Sequence, residues 1–216
     1  MENRELTAML NAYFNWNKCR MHCFVGMLLA LIKVRTINLA ELACGFSSLA
    51  NIESRYKRIR RFFKEFTIDF TLLASWVIYF FDLNGKSLTL SMDRTNWKWG
   101  AKDINILMLS IVYKGIAIPL LWRLLDKRGN SDTAERIEKL LALLTIAFCW
   151  AYKTGEWRNE QKEIKIKKHG RKAISYFRYG LDILRDLVLN GSASMAHIGK
   201  IVRDFFILKQ PTVIME

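Results

Sequence analysis

Proline is nearly missing: Pro119 and Pro211 are the only two in 216 residues. A chain so poor in helix breakers suits a compact, mostly helical protein. Neither a low-complexity linker nor an internal repeat divides it. Histidine is as scarce, with His22, His169 and His197 far apart in the chain. No pattern of a His-containing triad, Gly-rich phosphate loop or nucleophile elbow is present. The four cysteines, Cys19, Cys23, Cys44 and Cys149, lack disulfide-framework spacing, so a reducing cytoplasm is the expected compartment. Only Cys19-x-x-His22-Cys23 hints at a metal. It has no distant partner pair of the kind zinc needs, so packing on a helix face is the favoured reading.

Long apolar runs are also missing. Residues 24–32, 70–81 and 140–151 all fall short of the roughly 18–20 residues a membrane span requires, so they read as buried helices or strands. The N-terminus is polar and aromatic before any apolar run begins, which is not the layout of a signal peptide. Acid is the last deficit. Only 20 Asp and Glu face 34 Lys and Arg, a net charge of +14. A surplus of that size predicts a polyanionic partner, nucleic acid or an anionic membrane, and charge alone does not choose between them. With 51% of residues apolar, a packed core is expected rather than disorder.

Residues 2–34 read as one or two helices, with Leu6, Met9, Leu10, Tyr13 and Phe14 at helical spacing. Asn38 is a candidate N-cap for a short helix over 39–43 that Gly45 ends. Ser47 or Ser48 then caps a longer helix to about Phe66. Short helix, glycine turn, longer helix is helix-turn-helix grammar, and a plain helical hairpin has the same pattern. On the longer helix Tyr56, Ile59, Phe62, Phe63 and Phe66 share an arc of roughly 120°. Lys57, Arg60, Arg61 and Lys64 take the opposite arc, with Arg55 and Arg58 on its flanks. Such a run is either a solvated face or a phosphate-contacting one; few acids stand at i,i+4, which favours phosphate.

Leu88, Leu90 and Met92 alternate with Thr89, Ser91 and Asp93, the period of a β-strand with one polar face. Asp93 is expected at that strand's C-terminal end, followed by the donors and aromatics of 94–99. A carboxylate so placed is a candidate Mg²⁺ ligand or general base; the alternative is a turn aspartate capping the loop. Residues 104–113 and 116–125 supply two further strands around a tight Tyr113-Lys114-Gly115-Ile116 turn. Pro119 marks the third as an edge strand or a bulge. Ser131 or Asp132 opens a long helix, a basic stretch runs from Arg158 to Arg178 around His169-Gly170, and 176–189 is a last amphipathic helix. The tail from Asn190 is irregular apart from an apolar patch at 198–208.

Leu90-Ser-Met-Asp-Arg-Thr-Asn-Trp-Lys-Trp-Gly100, with Ile104-Asn-Ile-Leu and Val112-Tyr-Lys-Gly-Ile-Ala-Ile-Pro119 after it, resembles the catalytic-domain entry of bacterial insertion-sequence transposases of the DDE class. Leu140-Leu-Ala-Leu-Leu-Thr-Ile-Ala-Phe-Cys-Trp-Ala-Tyr-Lys-Thr-Gly-Glu-Trp157, Ile164-Lys-Ile-Lys-Lys-His-Gly-Arg-Lys-Ala173 and Tyr176-Phe-Arg-Tyr-Gly-Leu181 resemble the C-terminal end of the same enzymes. The resemblance implies an RNase H-like fold whose first catalytic aspartate, here Asp93, ends the first strand and binds Mg²⁺. It also implies a second aspartate after a fourth strand and a glutamate in a Tyr…Arg…Glu…Lys-like helix. Neither stretch is present. The chain passes from Arg128-Gly-Asn-Ser131 straight to 134–139, as if an internal segment were deleted between Gly129 and Arg136.

The expected architecture is therefore α+β: a helical DNA-binding region at 1–84, a partial RNase H-like three-stranded antiparallel meander at 85–130, C-terminal helices with a basic segment at 131–189, and a tail. The resemblance implies binding to double-stranded DNA at element ends, dimerisation with an intact transposase and no membrane. Asp93 is the one expected catalytic and metal residue, and paired Mg²⁺ ions are not expected without its two companions. Asp103, Asp126, Asp132 and Glu135 are the remaining acids near that sheet. Candidate DNA contacts are Arg55, Lys57, Arg58, Arg60, Arg61, Lys64, Arg94, Asn96, Lys165, Lys167, Lys168, Arg171 and Lys172. A DNA-binding module that interferes with intact transposase, and a peripheral membrane protein, are the alternatives.

Overall fold

A computed structural model of the chain describes residues 4–99, 102–125 and 131–190. The N-terminal helices are α1 (Arg4–Phe14), α2 (Lys18–Val34), α3 (Leu39–Gly45), α4 (Ile52–Glu65) and α5 (Phe70–Phe80). Three strands follow, β1 (Leu90–Trp99), β2 (Lys102–Tyr113) and β3 (Ile116–Leu124), then α6 (Ser131–Gln161) and α7 (Tyr176–Leu189). The architecture is α+β, with a three-stranded antiparallel sheet in the order β1-β2-β3.

Short polar side chains start the helices, as capping chemistry requires. Asn17, Asn38, Asn51, Asp69 and Ser175 each accept a hydrogen bond from a backbone N–H in the first turn of the helix that follows. For α4 the cap is Asn51, not Ser47 or Ser48. The chain is irregular past both serines, with bends at Leu49 and Ala50, and the Asn51 carboxamide oxygen accepts from the Ser54 N–H at 2.8 Å.

α2 is apolar on every side from Cys23 to Ile32, a composition that makes a helix central. It packs against α1, α3, α4, α6 and α7. One continuous core runs from Leu6 through α2 and α6 to Leu184 and takes in Ile111, Ile118 and Leu120 of the sheet. A smaller cluster of Ile104, Ile106, Leu124 and Ile137 ties the other end of the sheet to the start of α6.

Two glycines set the closest helix crossing. A Cβ on Gly155 of α6 would overlap the Tyr176 carbonyl, and one on Gly180 of α7 would overlap the Ala151 carbonyl. Only hydrogen at those positions lets the two backbones meet.

The sheet follows the expected turn chemistry. Lys114 and Gly115 both take positive φ, 48° and 82°, as a two-residue hairpin turn demands. Pro119 lies on the edge strand β3 opposite Ser110 of β2, at the register irregularity between Leu109 and Ser110. β3 packs on α5 and α6. The opposite edge differs, because every residue from Asn84 to Asn96 is exposed. Among the described residues no strand pairs with the outer edge of β1.

Candidate nucleic-acid interface

Asp93 lies inside β1 rather than at its end. The strand continues through Arg94, Thr95 and Asn96 because these pair in register with Leu107, Ile106 and Asn105 of β2. The expected donor cluster is therefore part of a hairpin arm, and Arg94 donates from its guanidinium to the Asn105 side chain at 3.2 Å. Asp93 stands opposite Met108 and accepts from the Arg94 N–H at 2.8 Å.

The described residues around Asp93 offer no set of ligands for a pair of Mg²⁺ ions. Among the described residues, no group of three or more His, Cys, Asp or Glu could hold a metal. Glu135 is engaged with Lys139 on α6 at 3.7 Å. Asp126 and the side chains of Asp103 and Asp132 lie outside the described residues. Cys23 is buried near the Arg58 carbonyl, and that burial pushes its thiol up against the pull of Arg58. The cysteine thus stands as a packed apolar group, with Cys19 exposed nearby.

The cationic residues of α4 divide into two sets. Ile59, Phe62 and Phe63 are buried, so the opposite arc is forced outward. Lys57, Arg60, Arg61 and Lys64 are exposed there at i, i+3, i+4 and i+7, one continuous stripe. Arg55 and Arg58 are held by the fold instead. Arg55 donates to the Ala50 and Ser48 carbonyls, both at 2.7 Å, and closes the α3–α4 turn. Arg58 sits over the Phe46 ring at 5.6 Å and reaches the Cys19 carbonyl. In the stripe, Lys57 pairs with Glu53 at 2.6 Å. Exposed pairs of this type hold their partners weakly and open to a stronger anion.

Open grooves flank the stripe on both sides. One of about 420 Å³ lies between α4 and the start of α6, lined by Lys57, Arg60, Arg61, Lys64 and Arg136 with Glu65 and Glu135. The other, of about 840 Å³, lies toward α2 and adds Arg20, Ser54 and Arg58. Arg20 and Arg136 were not among the sequence candidates. Both come from other helices, and nothing in the local sequence says that those helices approach α4.

The second basic segment forms a small tight hairpin after α6. Ile166 bridges to Lys172, the Lys167 N–H donates to the Arg171 carbonyl, and Gly170 closes the turn with φ of 79°. Lys165, Lys167, Lys168, Arg171 and Lys172 are all exposed on it. Lys172 also packs over the Tyr176 ring at 3.7 Å and donates to its hydroxyl.

A buried carboxylate ties α6 to the turn between β2 and β3. Glu156 of α6 accepts from Lys114 at 2.7 Å, Lys153 at 2.9 Å and the Tyr113 hydroxyl at 3.3 Å. Burial alone would raise its carboxyl, but the two lysines outweigh this and hold it below the usual carboxylate range. Burial and the Glu156 charge together push the Tyr152 hydroxyl up to about 12. Sequence inspection had no means of pairing Glu156 with Lys114, 42 residues away.

Among the described residues no single helix is long and apolar enough to cross a membrane. α2 and α3 qualify by composition only as a pair bent by 96°. No family model, no curated protein and no solved structure matches this chain.

Proposed function

We propose that this chain binds double-stranded DNA through the α4 stripe and the 165–172 hairpin, as a transposase-like protein whose catalytic centre is incomplete. The observation that carries the reading is the row Lys57, Arg60, Arg61 and Lys64 on a helix whose other face is locked in the core. A rigid cationic helix between two open grooves presents charge at fixed spacing to a regular polyanion. The α3–α4 arrangement, with a six-residue turn closed by Arg55, supports a helix-turn-helix mode in which α4 meets the duplex.

The resemblance at 90–119 and 140–181 supplies the element-end substrate class. Among the described residues no group of acids joins Asp93, which supports binding without strand cleavage, so no chemical step is assigned to it. A salt titration of binding to labelled duplex tests the reading. Several phosphate contacts give a log–log slope of about −0.9 per contact. A flat response, or no binding at low salt, removes DNA binding. Mg²⁺-dependent cleavage of duplex that vanishes in Asp93→Ala removes the claim of an incomplete centre.

A further inference from the structure

One face of the sheet carries an apolar row that neither hydrophobic core takes in. Met92 of β1 stands opposite Leu109 of β2, and Leu109 opposite Leu121 of β3. Directly opposite residues share a face, so the three side chains form one row across all three strands. Met92 is 67% exposed, Leu121 is 38% exposed and Leu109 is half-buried. Two residues along, Arg94, Leu107 and Arg123 form the next row on the same face, with the arginines on the outer strands. Met92, Leu107, Leu109 and Leu121 belong to neither core cluster. The open groove of about 380 Å³ beside α7, lined by Met108, Pro119 and Leu144 among others, lies on the opposite face. An exposed apolar patch that spans a whole sheet marks an interaction surface.

We propose that this face docks an amphipathic helix of another protein, one whose apolar stripe is edged on both sides by Asp or Glu. Strands about 4.8 Å apart put the side chains of β1 and β3 about 10 Å from one another. An α-helix with its side chains is about 10–12 Å across. A single helix lying along β2 therefore covers Leu107 and Leu109, and Arg94 and Arg123 fall on its two flanks. Covering an apolar sheet face with a helix layer is a standard way to bury it. The arginines decide the sign of the flanks. Arg94 is positioned by its bond to the Asn105 side chain at 3.2 Å. Among the described residues neither arginine is in an ion pair. Guanidinium groups at such positions favour carboxylates, which they bind in a two-pronged geometry. A second copy fits less well, because two chains of net charge +14 would bring four arginines onto one apolar surface. Leucines offer nothing to a phosphate, which separates this face from the α4 stripe.

Fluorescence anisotropy with the full-length protein and a labelled synthetic helix tests this assignment. The peptide carries Leu at i, i+3, i+4 and i+7 with Glu on both flanks, and a second version has Lys in place of Glu. The Glu version is expected to bind at least about tenfold more tightly. Because the whole chain is basic, the variants decide the place of binding. Arg123→Glu is expected to weaken the Glu version by about tenfold and to strengthen the Lys version. Leu121→Ser should weaken both, and Arg61→Ala on α4 should change neither. Should Leu121→Ser fold poorly by circular dichroism, the charge exchange at the exposed Arg123 decides alone. Loss only in Arg61→Ala, or the same loss in all three variants, would place the peptide on the general positive charge and overturn the proposal. An absence of binding overturns it as well. The chain alone sedimenting as a dimer that Leu121→Ser separates would give the face to a second copy. Binding to phosphatidylserine vesicles that the same variant abolishes would give it to an anionic membrane, and either result overturns the proposal.

Discussion

Lys139 donates from its buried Nζ to the Phe63 carbonyl oxygen at 2.9 Å, joining α6 to the last turn of α4. The last four carbonyls of a helix lack intrahelical partners, and the C-terminal end carries partial negative charge. An ammonium there satisfies both needs. It also fixes α4 against the long helix, so the outward direction of Lys57, Arg60, Arg61 and Lys64 is set by a contact on the opposite side.

Lys139→Met keeps the apolar stem and removes the donor. It should lower the unfolding free energy by about 1–3 kcal/mol, since a buried carbonyl loses its charged partner. Urea unfolding followed by circular dichroism reads this directly, and an unchanged midpoint would contradict the role given to Lys139.

Arg58 and Arg61 are neighbours on α4 with opposite expected behaviour. Arg61→Ala should leave stability within about 0.5 kcal/mol, the ordinary range for an exposed site. It should reduce the salt slope of DNA binding by about one phosphate contact. Arg58→Ala removes a guanidinium stacked on Phe46 and bonded to the Cys19 carbonyl, so it should destabilise by about 1 kcal/mol and move the slope less. Equal slope changes in both variants would show that the division of α4 cations is mistaken.

Helix identity was largely legible from apolar periodicity. The hydrophobic arc of α4, the boundaries of α7 and the three-stranded meander all follow from local pattern, because burial of one face is a local demand. What could not be read depends on distance in space. The Gly155–Gly180 crossing, the Lys139–Phe63 bond and the Glu156–Lys114 pair each join residues far apart in sequence. The division of the basic residues was equally hidden. Arg55 and Arg58 look like Arg61 in composition, and only the path of residues 46–51 and the approach of α2 make them structural. Asp93 was expected to end its strand because the apolar–polar alternation stops there, before a run of donors and aromatics. Pairing with β2 carries the strand through that run.

The glycine crossing gives the largest expected effect on stability. Gly180→Ala and Gly155→Ala each force backbone against backbone, and no side chain can rotate away. Each should cost at least about 2–3 kcal/mol, the upper range for overpacking. Gly170→Ala has nothing within 4 Å of the added methyl and carries only its positive φ, so about 1 kcal/mol is expected. Thermal midpoints of the three variants, measured side by side, separate the two mechanisms.

Glu156 predicts an acid limb. Its folded carboxyl titrates below the ordinary value because Lys114 and Lys153 outweigh the cost of burial. The stability it contributes is present above the unfolded value of about 4.3 and is lost as pH falls through the lower folded value. Urea midpoints between pH 7 and pH 3 should drop over that window. Glu156→Gln should be less stable at pH 7 and show a shallower drop. A variant with the wild-type acid slope would assign that slope to other carboxylates.

The free edge of β1 carries the remaining risk. Leu90 and Met92 are 52% and 67% exposed on a strand of ten residues with no proline, and Leu88, two residues before it, is 36% exposed. An unpaired, apolar edge of that length is a template for pairing with another chain. β3 avoids this through Pro119 and the helices packed on it. A charge placed on β1 should act as natural edges do, so Met92→Lys is expected to reduce concentration-dependent light scattering. It should leave the urea midpoint nearly unchanged, because Met92 is exposed and packs on little. Unaltered scattering in Met92→Lys would place the association surface elsewhere, with the open apolar groove beside α7 the next to test by Leu144→Lys.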